Sequence, residues 1–237
     1  MTGSSTRMKV KASPIRGIVF DFDGTLAELH LDFQLMKQGV AGLANAFLAT
    51  PVSPGTATAL EWIETLSESL TAVDPDSVPE FRSRCQLMIT DMEIKAARKG
   101  KLFHFSLDVL MGLRARGVKL GVITRNCTAA VKTVFPEIDE FVEVLLARED
   151  VPLTKPHPDH LLRALDALSL KPGDCLMVGD HRIDLQTARQ AGTRSGAVCT
   201  GNMAEAELRC EEPDFLAEDV QILLKDLQDR ELLWNGK

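Results

Sequence analysis

From about Leu102 onward, short β-branched or apolar runs alternate with amphipathic helical stretches. Ser106 to Arg116 reads as a helix closed by Gly117, and Val118 to Thr124 as a strand. Cys127 to Val134 reads as a short helix, Phe141 to Leu146 as a strand, and Pro158 to Leu168 as a helix. Cys175 to Val178 is the next strand, then a helix over Ile183 to Gln190 capped at Gly192, then a strand over Thr193 to Cys199. Pro213 to Leu216 is a candidate last strand, followed by an amphipathic helix from Asp219 to about Leu233. Such alternation predicts an α/β fold with a doubly wound, mostly parallel sheet. Gly17-Ile18-Val19-Phe20 has the same buried-strand character and belongs to that sheet.

Between that first strand and Leu102 the period changes. Residues Asp32 to Ala49 place Phe33, Met36, Val40, Leu43 and Phe47 three or four apart. Ser53-Pro54 supplies an N-cap and a first-turn proline for a second helix. Its apolar face is Ala59, Trp62, Ile63, Leu66, Leu70 and Val73, and Asp74-Pro75 ends it. Ser77-Val78-Pro79-Glu80 has capping-box spacing. It opens a third helix with Phe81, Cys85, Met88 and Met92 on one stripe and Gly100 as C-cap. The expected organisation is a core of residues 17–27 and 102–237, an all-helical insertion over 28–101, and a flexible tail over 1–16.

Net charge is −7 and no Lys/Arg-dense stripe occurs, which argues against nucleic acid as a partner. No apolar run approaches the ~20 residues of a membrane helix. The first 16 residues carry Arg7, Lys9, Lys11 and Arg16 but lack the apolar segment of a signal peptide. The five cysteines are scattered and form no Cys-x-x-Cys pair. That fits buried free thiols in a reducing compartment, so a cytoplasmic location is expected. The oligomeric state stays open.

The chemistry-bearing residues gather at predicted strand ends. Asp21-Phe22-Asp23-Gly24 follows the first strand. Side chains two apart on a strand face the same way, so Asp21 and Asp23 are expected to converge. In an open α/β sheet the carboxyl ends of the strands are where ligands bind. Paired carboxylates repel unless a cation or proton lies between them, and an oxygen-ligand site suits Mg²⁺. A solvated Asp-x-Asp-Gly turn is the plainer alternative. Thr124 ends another strand, where its hydroxyl and the backbone N–H groups of the following turn can grip a phosphate oxygen. Lys155 sits in the proline-stiffened stretch Thr154-Lys155-Pro156-His157-Pro158. Asp180 follows Gly179 at a third strand end, and Asp184 falls in the first turn of the next helix.

This ordered set resembles the haloacid dehalogenase superfamily of phosphohydrolases. Asp21 to Leu26 looks like its first motif, Val122-Ile123-Thr124 its second, Lys155-Pro156 its third, and Gly179 to Asp184 its fourth. The helical insertion between the first two motifs resembles the cap of the subgroup with phosphoglycolate phosphatases and β-phosphoglucomutases. The resemblance implies a Rossmann-like core and a Mg²⁺-dependent phosphatase for a small phosphorylated metabolite. A phosphomutase using the same intermediate is the alternative, and a non-catalytic regulatory protein a remoter one. It further implies Asp21 as nucleophile, Asp23 as acid and base, and Thr124 and Lys155 as holders of the phosphoryl oxygens. Mg²⁺ would be held by Asp21, the backbone carbonyl of Asp23, and Asp180. Asp184 would bind metal-bound water or orient Lys155. Gly24, Thr25, Arg125, Asn126, Arg98, Lys99 and His181 are the candidate substrate contacts. The chain departs from the family pattern where Arg125 intervenes before Asn126, where His181 follows Asp180, and across Ala27 to Asp32.

Overall fold

The strand β1 (Gly17–Phe20) is buried at every residue, as a central parallel strand covered on both faces must be. In the computed structural model, which describes residues 13–236, it is followed by β2 (Ala27–Glu28), α1 (Phe33–Ala44), α2 (Ala59–Thr71) and α3 (Val78–Ala97). Next come β3 (Lys101–Leu102), α4 (Ser106–Ala115), β4 (Lys119–Ile123), α5 (Thr128–Val134), α6 (Ile138–Phe141) and β5 (Val144–Leu146). The chain then forms α7 (Asp159–Leu168), β6 (Cys175–Gly179), α8 (Arg182–Ala191), β7 (Arg194–Val198), α9 (Glu205–Cys210), β8 (Phe215–Ala217) and α10 (Val220–Asp229). Six strands form one parallel sheet in the order β5-β4-β1-β6-β7-β8. β2 and β3 form a separate two-stranded sheet.

The register matters for function. Phe20 lies opposite Val122 on β4 and Val178 on β6. One or two residues further on, the three strands deliver Asp21, Thr124 and Asp180 to the same edge of the sheet. The apolar core behind that edge includes Val19, Ile123, Met177, Leu161, Leu165 and Ala188.

The chain divides into two compact units. One holds the described residues up to Ala27, then Leu102–Arg125 and everything from Glu137. The other is helical and holds Glu28–Lys101 with Asn126–Pro136, so α5 belongs with the helices. Its core is formed by Met36, Val40, Ile63, Leu66, Leu70, Phe81, Cys85 and Ile89.

Several local expectations are corrected. α2 begins at Ala59, not after Ser53-Pro54, because Thr58 is extended and forms a reciprocal capping box with Glu61. Ser77 makes no cap for α3: a 3₁₀ turn over Pro75–Ser77 feeds directly into the helix, and the Ser77 hydroxyl turns back to Asp74. The buried stripe of α3 is Phe81, Cys85, Ile89, Glu93 and Ala97, a strict four-residue spacing that leaves Met88 and Met92 at its margin. That helix ends at Ala97, before Gly100. A Cβ at Gly100 would lie 3.1 Å from the Glu28 carbonyl, so close backbone approach accounts for the glycine. α1 stops at Ala44, and of the segment Phe141 to Leu146 only Val144–Leu146 is strand, Phe141 being the last residue of α6. α10 ends at Asp229, short of Leu233.

Most of the expected tail lies outside the described residues, but its last part is built into the fold. Ile15 is fully buried and bridges to Leu233, and the Arg16 guanidinium stacks 4.0 Å over Trp234. All five cysteines are free. Three are buried, Cys199 is half-buried and Cys210, at the end of α9, is exposed. Burial pushes the Cys85 thiol up to about 11 and Cys175 to about 12, far from a nucleophile's range. Among the described residues no helix is long and apolar enough to cross a membrane.

Candidate active site

Asp21 leaves β1 with its backbone N–H donating to Val178 O at 2.8 Å, which extends the β1–β6 pairing by one step. The chain then folds back at once. Gly24 N–H donates to Ala27 O at 2.8 Å, and Phe22 O accepts from Leu26 and Ala27. Gly24 takes φ +85°, a conformation other residues rarely adopt. The strand pairing therefore stops with Asp21, and the chain turns from Phe22 onward. Asp23 is half-buried beside the cluster, bridged to Ala27, and its carboxylate is not part of the cluster.

The carboxylates that do converge are Asp21, Asp180 and Asp184. One oxygen from each lies within 4.8 Å of the others, and all three residues are buried. Lys155 is buried among them, with its Nζ 2.6 Å from Asp21 Oδ1 and 2.6 Å from Asp184 Oδ1. Asp184 is fixed on both sides, since its Oδ2 accepts the His181 N–H at 3.1 Å. Thr25 Oγ1 donates to Asp180 Oδ1 at 3.3 Å. Thr124 is buried, and its N–H donates to Leu146 O.

Three carboxylates around one ammonium leave a charge imbalance. Burial, opposed by Lys155 and reinforced by Asp184, raises the Asp21 carboxyl to about 6. Burial, with Asp21 and Asp184 adding repulsion, raises Asp180 to about 9. For Lys155, burial disfavours the charged form, but Asp184 and Asp21 outweigh it and hold the ammonium above its usual range. A buried set of hard oxygen donors in which Asp180 keeps its proton at neutral pH is chemically suited to a hard divalent cation, which replaces that proton. The donor set thus fits Mg²⁺.

His160 was absent from the sequence-derived candidates and belongs to the site's support. It is fully buried on α7, and its Nδ1 accepts the Lys155 N–H at 3.2 Å. Its Nε2 lies 3.1 Å from Leu146 O, so the ring is neutral with the proton on Nε2. Burial, aided by Lys155, pushes the imidazole down to about 4. A His five residues after Lys155 on the buried face of α7 was the available signal. The stretch Thr200-Gly201 was missed as well: Thr200 Oγ1 donates to Gly24 O at 2.5 Å.

The remaining candidates fall in different places. His181 is the N-cap of α8: its Nδ1 accepts from Ile183 N–H at 3.2 Å, and Arg182, Arg125 and Lys155 add to the burial that lowers its pKa. Arg125 is half-buried, and its carbonyl accepts from Arg148. Asn126 is buried and lies in the helical unit. Arg98 and Lys99 are exposed beyond the end of α3, while Lys95 pairs with Asp91 and Lys101 with Glu28. Glu93, also unforeseen, is buried on α3, with Oε2 accepting the Cys127 N–H at 3.1 Å.

Comparison with known proteins agrees with this geometry. The family model described as haloacid dehalogenase-like hydrolase matches residues 15–192. A phosphoglycolate phosphatase of Shigella dysenteriae is 30% identical, over 92% of this chain and 94% of that protein. The pyrophosphatase PpaX of Bacillus cereus is 27% identical over 218 residues, covering 91% of this chain and 97% of that protein. In fold, a haloacid dehalogenase family hydrolase from Deinococcus radiodurans, solved with bound phosphate and sodium, superposes with a TM-score of 0.61. It is 17% identical and covers 93% of this chain and 98% of that one. The matched segment contains all four motif regions and the clustered carboxylates, and the chain belongs to the haloacid dehalogenase-like hydrolase family.

Proposed function

We propose that the chain is a Mg²⁺-dependent phosphatase that hydrolyses a small phosphomonoester in the cytoplasm through an aspartyl-phosphate on Asp21. The observation that carries this reading is Lys155, whose ammonium bonds both Asp21 and Asp184 beside Asp180 at the carboxyl edge of the sheet. Asp21, the backbone carbonyl of Asp23, and Asp180 would hold the cation, with Asp184 beside them. When bound, it supplies positive charge against the phosphoryl oxygens. The names of the Shigella and Bacillus relatives, which denote enzymes for small phosphoryl compounds, support the substrate class.

In the first half-reaction an Asp21 oxygen attacks phosphorus and the bond to the leaving oxygen breaks. Asp23 gives its proton to that oxygen. In the second half, Asp23 takes a proton from water as the water attacks phosphorus, which frees Asp21 and orthophosphate. Lys155 and Thr124 hold the phosphoryl oxygens throughout, so the protein contributes mainly position and charge. Gly24, Thr25, Arg125, Asn126, Arg98, Lys99 and His181 are the residues proposed to face the substrate.

The test is phosphate release from a panel of small phosphomonoesters, with pyrophosphate included, in Mg²⁺ and after chelation. Release that needs Mg²⁺ supports the proposal. Full turnover in chelator, or no release from any compound, overturns it. Phosphoryl transfer to a sugar hydroxyl in place of water identifies a phosphomutase.

A further inference from the structure

After β7 the chain runs Cys199-Thr200-Gly201-Asn202, a stretch that none of the four motif regions includes. It approaches Asp180 more closely than any side chain would permit. A Cβ on Gly201 would sit 1.7 Å from Asp180 Oδ2 and 2.4 Å from its Cγ. A Cβ on Gly24 would sit 2.5 Å from the same Cγ. Two glycine backbones from separate loops therefore press on one carboxyl group. They are tied to each other, since the Thr200 hydroxyl donates to the Gly24 carbonyl at 2.5 Å. The loop is anchored from behind by the Cys199 N–H, which is 3.1 Å from both Ala217 O and Glu218 O.

Asp180 needs such support. It stands in the short connection between β6 and α8, and burial raises the cost of leaving its carboxylate misplaced. Thr25 contributes only a long hydrogen bond, 3.3 Å, to Oδ1. We propose that Thr200 and Gly201 are positioning residues that confine the Asp180 carboxyl group to the orientation in which it serves as a metal ligand. This rests on the reading of Asp180 as a metal ligand. Gly201 does so by leaving room for that orientation and closing the space around it. Thr200 does so by locking the loop to the turn after Asp21. Ligand rotamers held by surrounding packing bind metal better because less freedom is lost on binding.

The test uses the full chain and Mn²⁺ as the probe, with free Mn²⁺ read by electron paramagnetic resonance. Gly201 does not have positive φ, so Gly201→Ala asks only for space that Asp180 occupies. Gly201→Ala and Thr200→Val should each weaken Mn²⁺ binding by about 10-fold, the lower end for loss of a supporting contact. Thr200→Ser keeps the hydroxyl and should restore wild-type affinity. Thermal unfolding of metal-free Thr200→Val should stay close to wild type. Wild-type Mn²⁺ affinity in both Gly201→Ala and Thr200→Val overturns the proposal. If Gly201→Ala does not fold, the Thr200→Val and Thr200→Ser pair decides alone. Asp180→Asn separates the two levels. If it binds Mn²⁺ as tightly as wild type, the metal reading fails and the positioning role falls with it. If it abolishes binding while the loop variants do not, only the positioning role is lost.

Discussion

Lys155 concentrates the energetics of the site in one side chain. Its ammonium is almost fully buried and is shared between Asp21 and Asp184. Removing one member of such a buried ionic set leaves the others uncompensated, typically at a cost of about 3–5 kcal/mol. Lys155→Ala should therefore lower stability by that order in a denaturant titration, and abolish phosphate release. Asp21→Asn behaves differently. It removes one carboxylate from a set already too negative and keeps Asp184 as partner for Lys155. Turnover should fall by several orders of magnitude, while the metal-free protein unfolds at the wild-type temperature or above. Appreciable residual turnover would remove Asp21 from the nucleophile's role. His160 offers a spectroscopic check. Nitrogen NMR should find it neutral with the proton on Nε2, titrating near pH 4. Its folded pKa lies below the ordinary 6.5, so its contribution is present above 6.5 and is lost as pH falls through 4.

At the scale of elements, α3 and α5 meet through a charged group where an apolar one would be expected. Glu93 continues the Phe81, Cys85, Ile89 stripe and receives the backbone N–H of Cys127, the N-cap residue of α5. A carboxylate is favourable at a helix N-terminus, because the first N–H groups lack partners within the helix. Glu93→Ala should destabilise the protein by about 1–3 kcal/mol, the cost of leaving a buried donor unpaired. Glu93→Gln keeps an acceptor oxygen and should cost less. Equal losses in the two variants, measured by denaturant unfolding, would assign the effect to packing. α7 shows the complementary case: its buried face carries His160 among leucines, and that polar exception connects the helix to the Lys155 loop.

For the whole molecule, the carboxylate cluster couples metal binding to pH. Asp180, raised to about 9, holds a proton that a cation must displace up to that pH, while Asp21, at about 6, gives up its own near the lower end of the range. A carboxyl group with a raised pKa binds metal better as pH rises toward that pKa. The half-saturating Mg²⁺ concentration should therefore fall between pH 6 and 9, by up to about tenfold per pH unit for each proton displaced. A half-saturation value that stays flat over this range would contradict the raised values. Calcium should compete without supporting turnover, because its larger, looser coordination does not hold in-line geometry.

The alternation of short buried strands with amphipathic helices was enough to specify the parallel α/β sheet, because strands covered on both faces must be continuously apolar. The four motif regions were legible for a related reason: Asp, Thr and Asp at three strand ends and a proline-flanked Lys are local patterns in the chain. Local pattern failed where the outcome depended on what came next in space. Ser77 has capping spacing, but the preceding turn had already made it helical. Ile15 looked like tail because its partner, Leu233, is at the other end of the chain. The tertiary structure alone decided how closely Asp21, Asp180 and Asp184 approach and that Lys155 bridges two of them, because those distances follow from the register of β1 against β6 and the packing of α8. It also decided the supporting roles of His160, Thr200 and Gly201, which rest on close approaches between segments far apart in sequence that no spacing along one segment encodes.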